Sequence, residues 1–496
     1  MSAQEKESQA RELALLKKEL AQIKLSNAYI LAVWAQAYYA KSPVLRWLWR
    51  CLARVTRPIR RLRKLRAAKV QADVSDDLRN RFEDSVFFDS AYYGEKYSDV
   101  IKTPEDLVSD YICSFPAEVR DPGALFSARH YQTLHPDVLR AGVHPFVHFL
   151  LNGQNEGRAA LAPHRINTFL KGLEALPLAL SALIPCGQSV RLHCYDRGNF
   201  FFSDIAGYVG DYLVHLGYKI DDDASASLDL VVAPHEFMVH GPGRQWSAER
   251  IENTICLNTE QWQTSWFTLA LTFMQKSKIG CLDINPMSAV GLTQLGLRCA
   301  FLPMLSLPGS CFDQVRQPLS ESLSARRFIR ELTYPPLFNQ RGYDVMLVAV
   351  SNPRREYMLA ELAPTLSQFN TFIHCPGFDG PIAMGDPDAI CSSDLTQLAK
   401  NSKILLNIHR DEMPYFEWHR LFLYGMMNGC VVVTEACYNS PYLKAGEHYL
   451  EAPASELPDL LKHLLTTREG QAQLMQVHTH TQLLRQEIAS KDYAWL

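Results

Sequence analysis

The sequence lacks paired cysteines. Its twelve cysteines stand singly between Cys51 and Cys437, with no Cys-x-x-Cys pair and no zinc-ligand spacing to a histidine. This scatter favours neither a zinc site nor a disulfide framework, and it is typical of a protein kept in a reducing compartment.

Long apolar runs are missing too. The longest nearly apolar stretch, AYILAVWAQAYYA at 28–40, is short for a membrane-spanning helix. The N-terminus is polar and charged, unlike a signal peptide. We therefore expect a cytoplasmic protein.

A large net charge is also absent. The 50 basic and 53 acidic residues give −3, which excludes a wholesale nucleic-acid binder, so no nucleic-acid partner is expected. The balance hides an asymmetry, because residues 41–70 hold eleven Lys or Arg and no acid, which leaves about −14 for the rest. At 496 residues, of which 47% are apolar, the chain is long enough for two to four globular domains.

Residues 1–40 contain a heptad pattern. Its a and d positions are Leu13, Leu16, Leu20, Ile23, Asn27, Ile30 and Trp34. The alternating spacing of 3 and 4 predicts a coiled coil over 10–36 that joins copies of the chain or binds a partner helix. The alternative is a helix packed on its own domain.

Residues 41–72 interleave arginines with large apolar side chains such as Trp47 and Trp49. This pattern predicts an amphipathic helix that lies on an anionic membrane surface, at the inner face of the cytoplasmic membrane. Thr56 and Pro58 divide it into two short helices. The alternatives are a solvated basic linker and a patch that holds an anionic polymer.

Residues 80–162 contain a duplication. FFDSAYYGEKYSDV at 87–100 aligns with LFSARHYQTLHPDV at 125–138, at an offset of 38. The matches at this offset end with Glu118 and Arg120, which pair with Glu156 and Arg158. They predict a tandem all-α repeat with an aromatic core.

The second copy, HPDVLRAGVHPFVHFLLNGQNEGR, resembles a small module found beside glycosyltransferase domains in bacterial surface-polysaccharide enzymes. The first copy keeps the aromatic half of that module and lacks its GxxEGR ending.

From about 185, short apolar strands alternate with amphipathic helices. The predicted strands are 190–195, 228–234, 253–258, 278–283 and 300–305 and, after a Pro-rich linker, 344–350, 370–377, 403–409 and 430–435. Near-continuous apolar strands predict parallel sheets covered on both faces. We predict an α/β fold of two facing Rossmann-like domains, 185–332 and 340–470, followed by a C-terminal helix at 471–496.

Polar residues stand at the ends of three strands of the second set. Asn352, Arg354 and Arg355 stand at the start of a helix, where a helix N-terminus and guanidinium groups favour a phosphate. His409, Glu417, Arg420 and Glu435 reach the same sheet edge, where a carboxylate can accept from a ribose diol and an arginine can meet a diphosphate. The alternative is a set of structural ion pairs.

The blocks KILLNIHRDE, FEWHRLFLYGMMNGCVVVTE and LKAGEHYLEA resemble the donor-binding half of GT-B glycosyltransferases, and the resemblance covers about 185–470. It implies a nucleotide-sugar donor in the C-terminal domain and an acceptor in the N-terminal one. Many retaining members carry two glutamates eight positions apart on the cleft helix. Phe416 and Tyr424 occupy those positions here, and Glu417 is adjacent to the first.

An acceptor would meet the strand ends of the N-terminal domain. Gly198 and Asn199 form a loop that lets the acceptor approach the donor diphosphate. His235, Glu236 and Glu260 stand at strand ends, and an inverting transfer needs one of them as general base, whereas a retaining enzyme needs no protein base. Each is alternatively a satisfied polar group at a strand end.

The residues and the resemblance together predict a glycosyltransferase that moves a sugar from a nucleotide-diphosphate donor to a glycan or glycolipid acceptor in surface-polysaccharide synthesis. No DxD-type acidic cluster stands beside the arginines, so neither a metal nor another cofactor is expected. The alternatives are a nucleotide-sugar epimerase on the same scaffold and a non-catalytic scaffold with a degenerate domain pair.

Overall fold

The computed structural model describes residues 76–489 except 174, 222–226, 305–328, 330–331, 333–334, 379, 384–385, 439 and 441. The predicted coiled coil at 10–36 and the basic segment at 41–70 lie outside the described residues, so both stay predictions. Among the helices of the described part, none is both long enough and apolar enough to cross a membrane.

The first described region is helical. Its α-helices span Asp76–Glu83, Ser90–Lys96, Leu107–Ser114, Ala128–Leu134, Pro136–Ala141, Pro145–His148 and Pro163–Lys171, with a π-helical turn at Phe149–Gly153. Its core is aromatic, and rings such as Phe82, Tyr111 and Phe146 are fully buried and pack edge to face.

The duplication is visible in side-chain contacts. The Tyr93 hydroxyl lies 2.8 Å from Asp110 Oδ2, and the Tyr131 hydroxyl lies 3.0 Å from His148 Nδ1. Each partner stands seventeen positions after its tyrosine, so the two copies keep the same contact with different partners.

The arginines at the ends of the two copies also make the same contact. Arg120 Nε donates to Glu118, and Arg158 Nε donates to Glu156. The first copy thus keeps this ion pair although it lacks the full GxxEGR motif.

The helical region packs on the following domain through its second copy. A side chain at Gly157 would place its Cβ 2.7 Å from Leu269 Cγ, so glycine permits close contact with the helix Ser265–Met274. Nearby, Gln154 Nε2 donates to Gln275 Oε1 at 2.6 Å.

The first sheet has six parallel strands in the order β2-β1-β3-β4-β5-β6. They are β1 Ser189–His193, β2 Lys219–Ile220, β3 Leu228–Val232, β4 Thr254–Asn258, β5 Cys281–Asp283 and β6 Cys299–Phe301. The helices between them span Phe200–His215, Pro234–Phe237, Ala248–Glu252, Ser265–Met274 and Pro286–Gln294.

The second sheet has five parallel strands in the order β11-β10-β9-β7-β8. They are β7 Tyr343–Val348, β8 Thr371–His374, β9 Ser402–Asn407, β10 Val431–Glu435 and β11 Leu450–Ala452. The associated helices span Pro353–Leu366, Ser392–Lys400, Leu457–Thr466 and Arg468–Ala489.

Two parallel α/β sheets are consistent with the predicted two-domain GT-B fold. Each of the nine predicted strand segments overlaps an observed strand. The short strands β2 and β11 were not predicted.

Residues 418–428, where the sequence predicts a helix at the cleft, form a wide helical segment. His419–Gly425 is π-helical and Met426–Asn428 is a 3-10 turn. Gly429 ends it with a φ of 81°, a left-handed conformation that glycine adopts without strain. The chain then enters β10, which is wholly buried.

Candidate functional site

The strand orders locate one crevice in each sheet. In both sheets the first strand lies between the second and the third, so the direction in which successive strands are added across the sheet reverses between β1 and β3 and between β7 and β9. Ligands of open parallel sheets bind at the carboxyl ends of the strands at such a switch point. The predicted site residues follow these strands or their neighbours β4 and β10.

Asn352 starts the helix Pro353–Leu366 beyond β7. Its Oδ1 accepts a hydrogen bond of 2.9 Å from the Arg355 backbone N–H, and proline follows at the first helical position. Its Nδ2 donates to the Arg410 carbonyl oxygen at 3.1 Å. Asn352 therefore ties the helix start to the loop after β9.

Arg354 forms a two-point ion pair with Glu435 at the end of β10. Arg354 Nη1 lies 2.9 Å from Glu435 Oε2, Nη2 bonds Oε1, and Nη1 also donates to the His409 carbonyl. Burial by itself raises the pKa of Glu435, but the Arg354 hydrogen bonds and His409 outweigh it and hold that pKa below its usual value.

Glu417 lies between two guanidinium groups. Its Oε1 is 3.3 Å from Arg355 Nη2, and its Oε2 is 2.9 Å from Arg420 Nε. Burial alone raises the pKa of Glu417, but the positive charges of Arg420 and Arg355 lower it overall. The carboxylate is thus ionised at neutral pH.

The three arginines differ in what they can offer a ligand. The Arg355 side chain is 7% exposed and donates to the carbonyls of Ile408 and Val350, and burial lowers its pKa to about 10. The side chains of Arg420 and Arg354 are 13% and 27% exposed. Arg420 also donates to a backbone carbonyl and a side-chain amide, so it is an internal support like Arg355, and Arg354 is the most accessible of the three.

His409 is buried at the end of β9. Its backbone N–H donates to Glu435 Oε2 at 2.7 Å, and its Nε2 lies 3.1 Å from the Ala436 carbonyl oxygen. Burial is the main cause that lowers the pKa of His409, so its ring is neutral at pH 7. The structure thus brings together all seven predicted donor-side residues.

Phe416 and Tyr424, the positions at which the GT-B pattern has glutamates, belong to the core here. Both are buried, and the Tyr424 hydroxyl donates to Ser392 Oγ. Glu417 is the carboxylate that this segment places at the sheet edge.

On the first sheet, Gly198 and Asn199 lie against Glu236. The Asn199 backbone N–H donates to Glu236 Oε2 at 3.1 Å, and its side-chain N–H bonds Oε1. A Cβ at position 198 would lie 1.7 Å from Glu236 Oε2, so any larger residue would displace this carboxylate. Ala233, at the end of β3, has a φ of 51°, an unusual conformation for alanine that starts the turn carrying Glu236.

His235 and Glu260 also meet, with 3.5 Å between His235 Nε2 and Glu260 Oε1. Burial lowers the pKa of His235 to about 3, so its ring is a weak base. Burial raises the pKa of Glu260 to about 7, and the side chain remains 13% exposed. A carboxylate with that pKa can accept a proton near neutral pH.

Contacts between the two domains bring the loop after β4 against the loop after β9. The Arg410 guanidinium lies 5.0 Å from the centre of the Trp266 ring, and Gln263 Nε2 donates to Asp411 Oδ2 at 2.8 Å. Arg410 also lowers the pKa of Glu260, an effect that burial outweighs.

From the sequence, neither Arg410 nor Ile382 had an assigned role. Ile382 follows β8 in a loop whose composition carries no signal, and its backbone contacts Asn199. Within the described part of the chain, no group of three or more His, Cys, Asp or Glu residues is arranged to hold a metal ion. The expectation of no metal stays a prediction.

No protein-family model and no curated protein sequence match the chain. Solved structures give weak matches. Anabaena HepE in complex with UDP and glucose is 9% identical with a TM-score of 0.36, over 60% of this chain and 95% of that one. A DNA-modifying beta-glucosyltransferase is 11% identical with a TM-score of 0.33, over 61% and 97%. An alpha-glucosyltransferase in complex with UDP and a 13-mer DNA is 9% identical with a TM-score of 0.31, over 62% and 100%. Likenesses at this level carry no argument about the present chain.

Proposed function

We propose that the chain is a nucleotide-sugar-dependent glycosyltransferase with its donor at the carboxyl edge of the second sheet. The acceptor lies at the facing edge of the first sheet. The observation that carries the proposal is a titratable carboxylate and an accessible guanidinium group at the strand ends of two domains whose loops contact each other. Glu260, with a pKa of about 7, follows a strand of the first sheet, and Arg354 follows a strand of the second.

The reaction follows from these positions. The acceptor hydroxyl oxygen forms a bond to the anomeric carbon of the donor sugar while the bond from that carbon to the diphosphate oxygen breaks. Glu260 takes the hydroxyl proton, and the anomeric configuration is inverted. The leaving diphosphate gains negative charge, which the Arg354 guanidinium group and the N-terminus of the helix Pro353–Leu366 stabilise.

The donor side is tested by thermal unfolding with UDP, GDP, dTDP or CMP. A ligand present at 100 times its dissociation constant stabilises the folded state by about 2.7 kcal/mol. One nucleotide should raise the melting temperature of the wild type, and Arg354→Lys should reduce that rise because lysine cannot make bidentate contacts. Arg468→Ala, at an exposed position on the C-terminal helix, is the control. No rise with any nucleotide favours a non-catalytic scaffold.

The acceptor side is tested with Glu260→Gln. This variant should still bind the nucleotide but transfer sugar about 10²–10⁴-fold more slowly, because glutamine cannot accept the proton. Undiminished transfer overturns the role of Glu260. Conversion of the donor sugar with no acceptor present favours an epimerase instead.

The finer proposal concerns the acceptor and location. The N-terminal repeat resembles a module of surface-polysaccharide enzymes, and residues 41–70 form a basic, Trp-containing segment. We infer a glycan or glycolipid acceptor at the inner membrane face. Co-sedimentation of the full chain with vesicles of anionic phospholipid, and not with neutral ones, is the expected result. Equal sedimentation with anionic and neutral vesicles contradicts the proposed membrane location and leaves the proposed sugar transfer untouched.

A further inference from the structure

Asn199 stands at the N-cap position of the helix Phe200–His215, but its side chain does not cap that helix. Asparagine is among the most favoured N-cap residues because its oxygen accepts from the free amides of the first turn. Here the side-chain N–H bonds Glu236 Oε1, and Oδ1 accepts a hydrogen bond of 2.8 Å from the Ile382 N–H. The side chain therefore bonds two residues that are distant in the sequence and leaves the amides of its own helix without a side-chain cap.

Ile382 belongs to the other domain, and it makes a second bond at the same place. Its carbonyl oxygen accepts a hydrogen bond of 2.9 Å from the Phe200 N–H, which is an otherwise free amide of the helix start. The orientation of the Asn199 amide is fixed, because a carboxylate can only accept here and a backbone N–H can only donate. The junction therefore has two interdomain hydrogen bonds of opposite direction.

More of this helix faces the other domain. Asp204 accepts a hydrogen bond from Ser392 Oγ, and the Tyr208 and Tyr424 rings lie 6.3 Å apart. The Asn199 junction lies at one end of this contact between the domains, next to Glu236.

We propose that Asn199 is a positioning residue that couples closure of the two domains to the placement of Glu236. With the domains together, its side chain joins Glu236 to Ile382. With the domains apart, the same side chain is released and caps its own helix. For sugar transfer the inference rests on the proposed function, whereas the hydrogen bonds of the junction exist in the chain without any substrate.

Hydrogen–deuterium exchange of the full chain without nucleotide or sugar tests whether Asn199 holds the two domains together at Ile382. In Asn199→Ala, the peptide that contains Ile382 should exchange about tenfold faster than in the wild type, because its amide loses its acceptor. The peptide that contains Phe200 should also exchange faster, and the melting temperature should stay close to the wild-type value. The control is Asn253→Ala, in which the lost side-chain bond goes to Glu249 of the same domain.

Two results overturn the proposal. One is unchanged exchange at Ile382 in Asn199→Ala. The other is a fall in melting temperature with faster exchange throughout 189–301, which indicates a merely structural residue.

Asn199→Asp serves as the second variant, and it also decides the matter if the alanine variant does not fold. It keeps the oxygen that accepts from Ile382 but sets a second carboxylate against Glu236. Faster local exchange at Ile382 is expected, and wild-type exchange overturns the coupling to Glu236. Because no step uses a substrate, failure here is separate from failure of the proposed glycosyltransferase activity.

Discussion

Arg354 and Glu435 are 81 residues apart in the sequence and form a two-point ion pair at the carboxyl edge of the second sheet, with Nη1 2.9 Å from Oε2. The contact joins a helix start after β7 to the last residue of β10. It holds the most accessible of the predicted donor-side arginines in place.

We predict that Glu435→Gln lowers the free energy of unfolding by about 1–3 kcal/mol at pH 7, because Arg354 loses its charged partner in a mostly buried site. The pKa of Glu435 is lowered in the folded state, so its stabilisation exists above the unfolded pKa and is lost as pH falls. Urea unfolding at pH 7 and pH 4 should show the difference shrinking at pH 4. The control, Glu252→Gln, breaks the exposed pair with Lys278 and should change stability by less than about 0.5 kcal/mol. A loss at pH 4 as large as at pH 7 contradicts the ionic origin.

Glu260→Gln should have the opposite pH dependence. Burial raises the pKa of Glu260 from 4.5 to about 7, so the folded state binds more protons and the carboxyl destabilises the fold as pH rises through this window. The variant should therefore be more stable than the wild type at pH 8, by up to about 3 kcal/mol, and should lose that advantage at pH 4.5. Urea unfolding at both values, with Glu249→Gln as the exposed control, measures it. If the advantage of the variant over the wild type is no larger at pH 8 than at pH 4.5, the raised pKa is refuted.

The two copies of the helical repeat give a matched pair of substitutions. Tyr93→Phe should cost about 2 kcal/mol, because the hydroxyl bonds both Asp110 and Arg120 in a buried ionic network. Tyr131→Phe removes a single contact with His148 and should cost about 1 kcal/mol. Denaturant unfolding of both variants compares them, and equal losses would show that the charged network adds nothing.

Two glycines with the same backbone conformation allow backbone strain to be measured separately from steric contact of an added side chain. Gly446 and Gly429 both have a φ of 81°, but a Cβ at 446 meets no atom within 4 Å, whereas one at 429 lies 2.5 Å from Arg341 Nη2. Gly446→Ala should cost about 1 kcal/mol for the left-handed conformation. Gly429→Ala should cost at least about 1 kcal/mol more, because Arg341 is buried and bonds three carbonyl oxygens. Thermal or urea unfolding of both variants measures the two losses of stability. Similar losses would mean that Arg341 moves aside at little cost.

The sequence alone determined the α/β alternation and the nine main strands. Buried parallel strands are nearly continuous apolar runs, and this local pattern does not depend on contacts with the rest of the chain. It also placed polar residues such as Arg354 and Glu260 at strand ends, because the end of an apolar run is visible in the sequence. The 38-residue repeat was visible for the same reason.

Tertiary structure decided what those polar residues do. The sequence did not show that Arg355 is buried among carbonyls while Arg354 stays accessible, because exposure depends on how a helix packs against distant strands. Nor did it show that Asn199 leaves its own helix for Glu236 and Ile382, since a favoured local cap gave way to two partners 37 and 183 residues away. The pKa of Glu260 was equally hidden, because burial by other elements sets it.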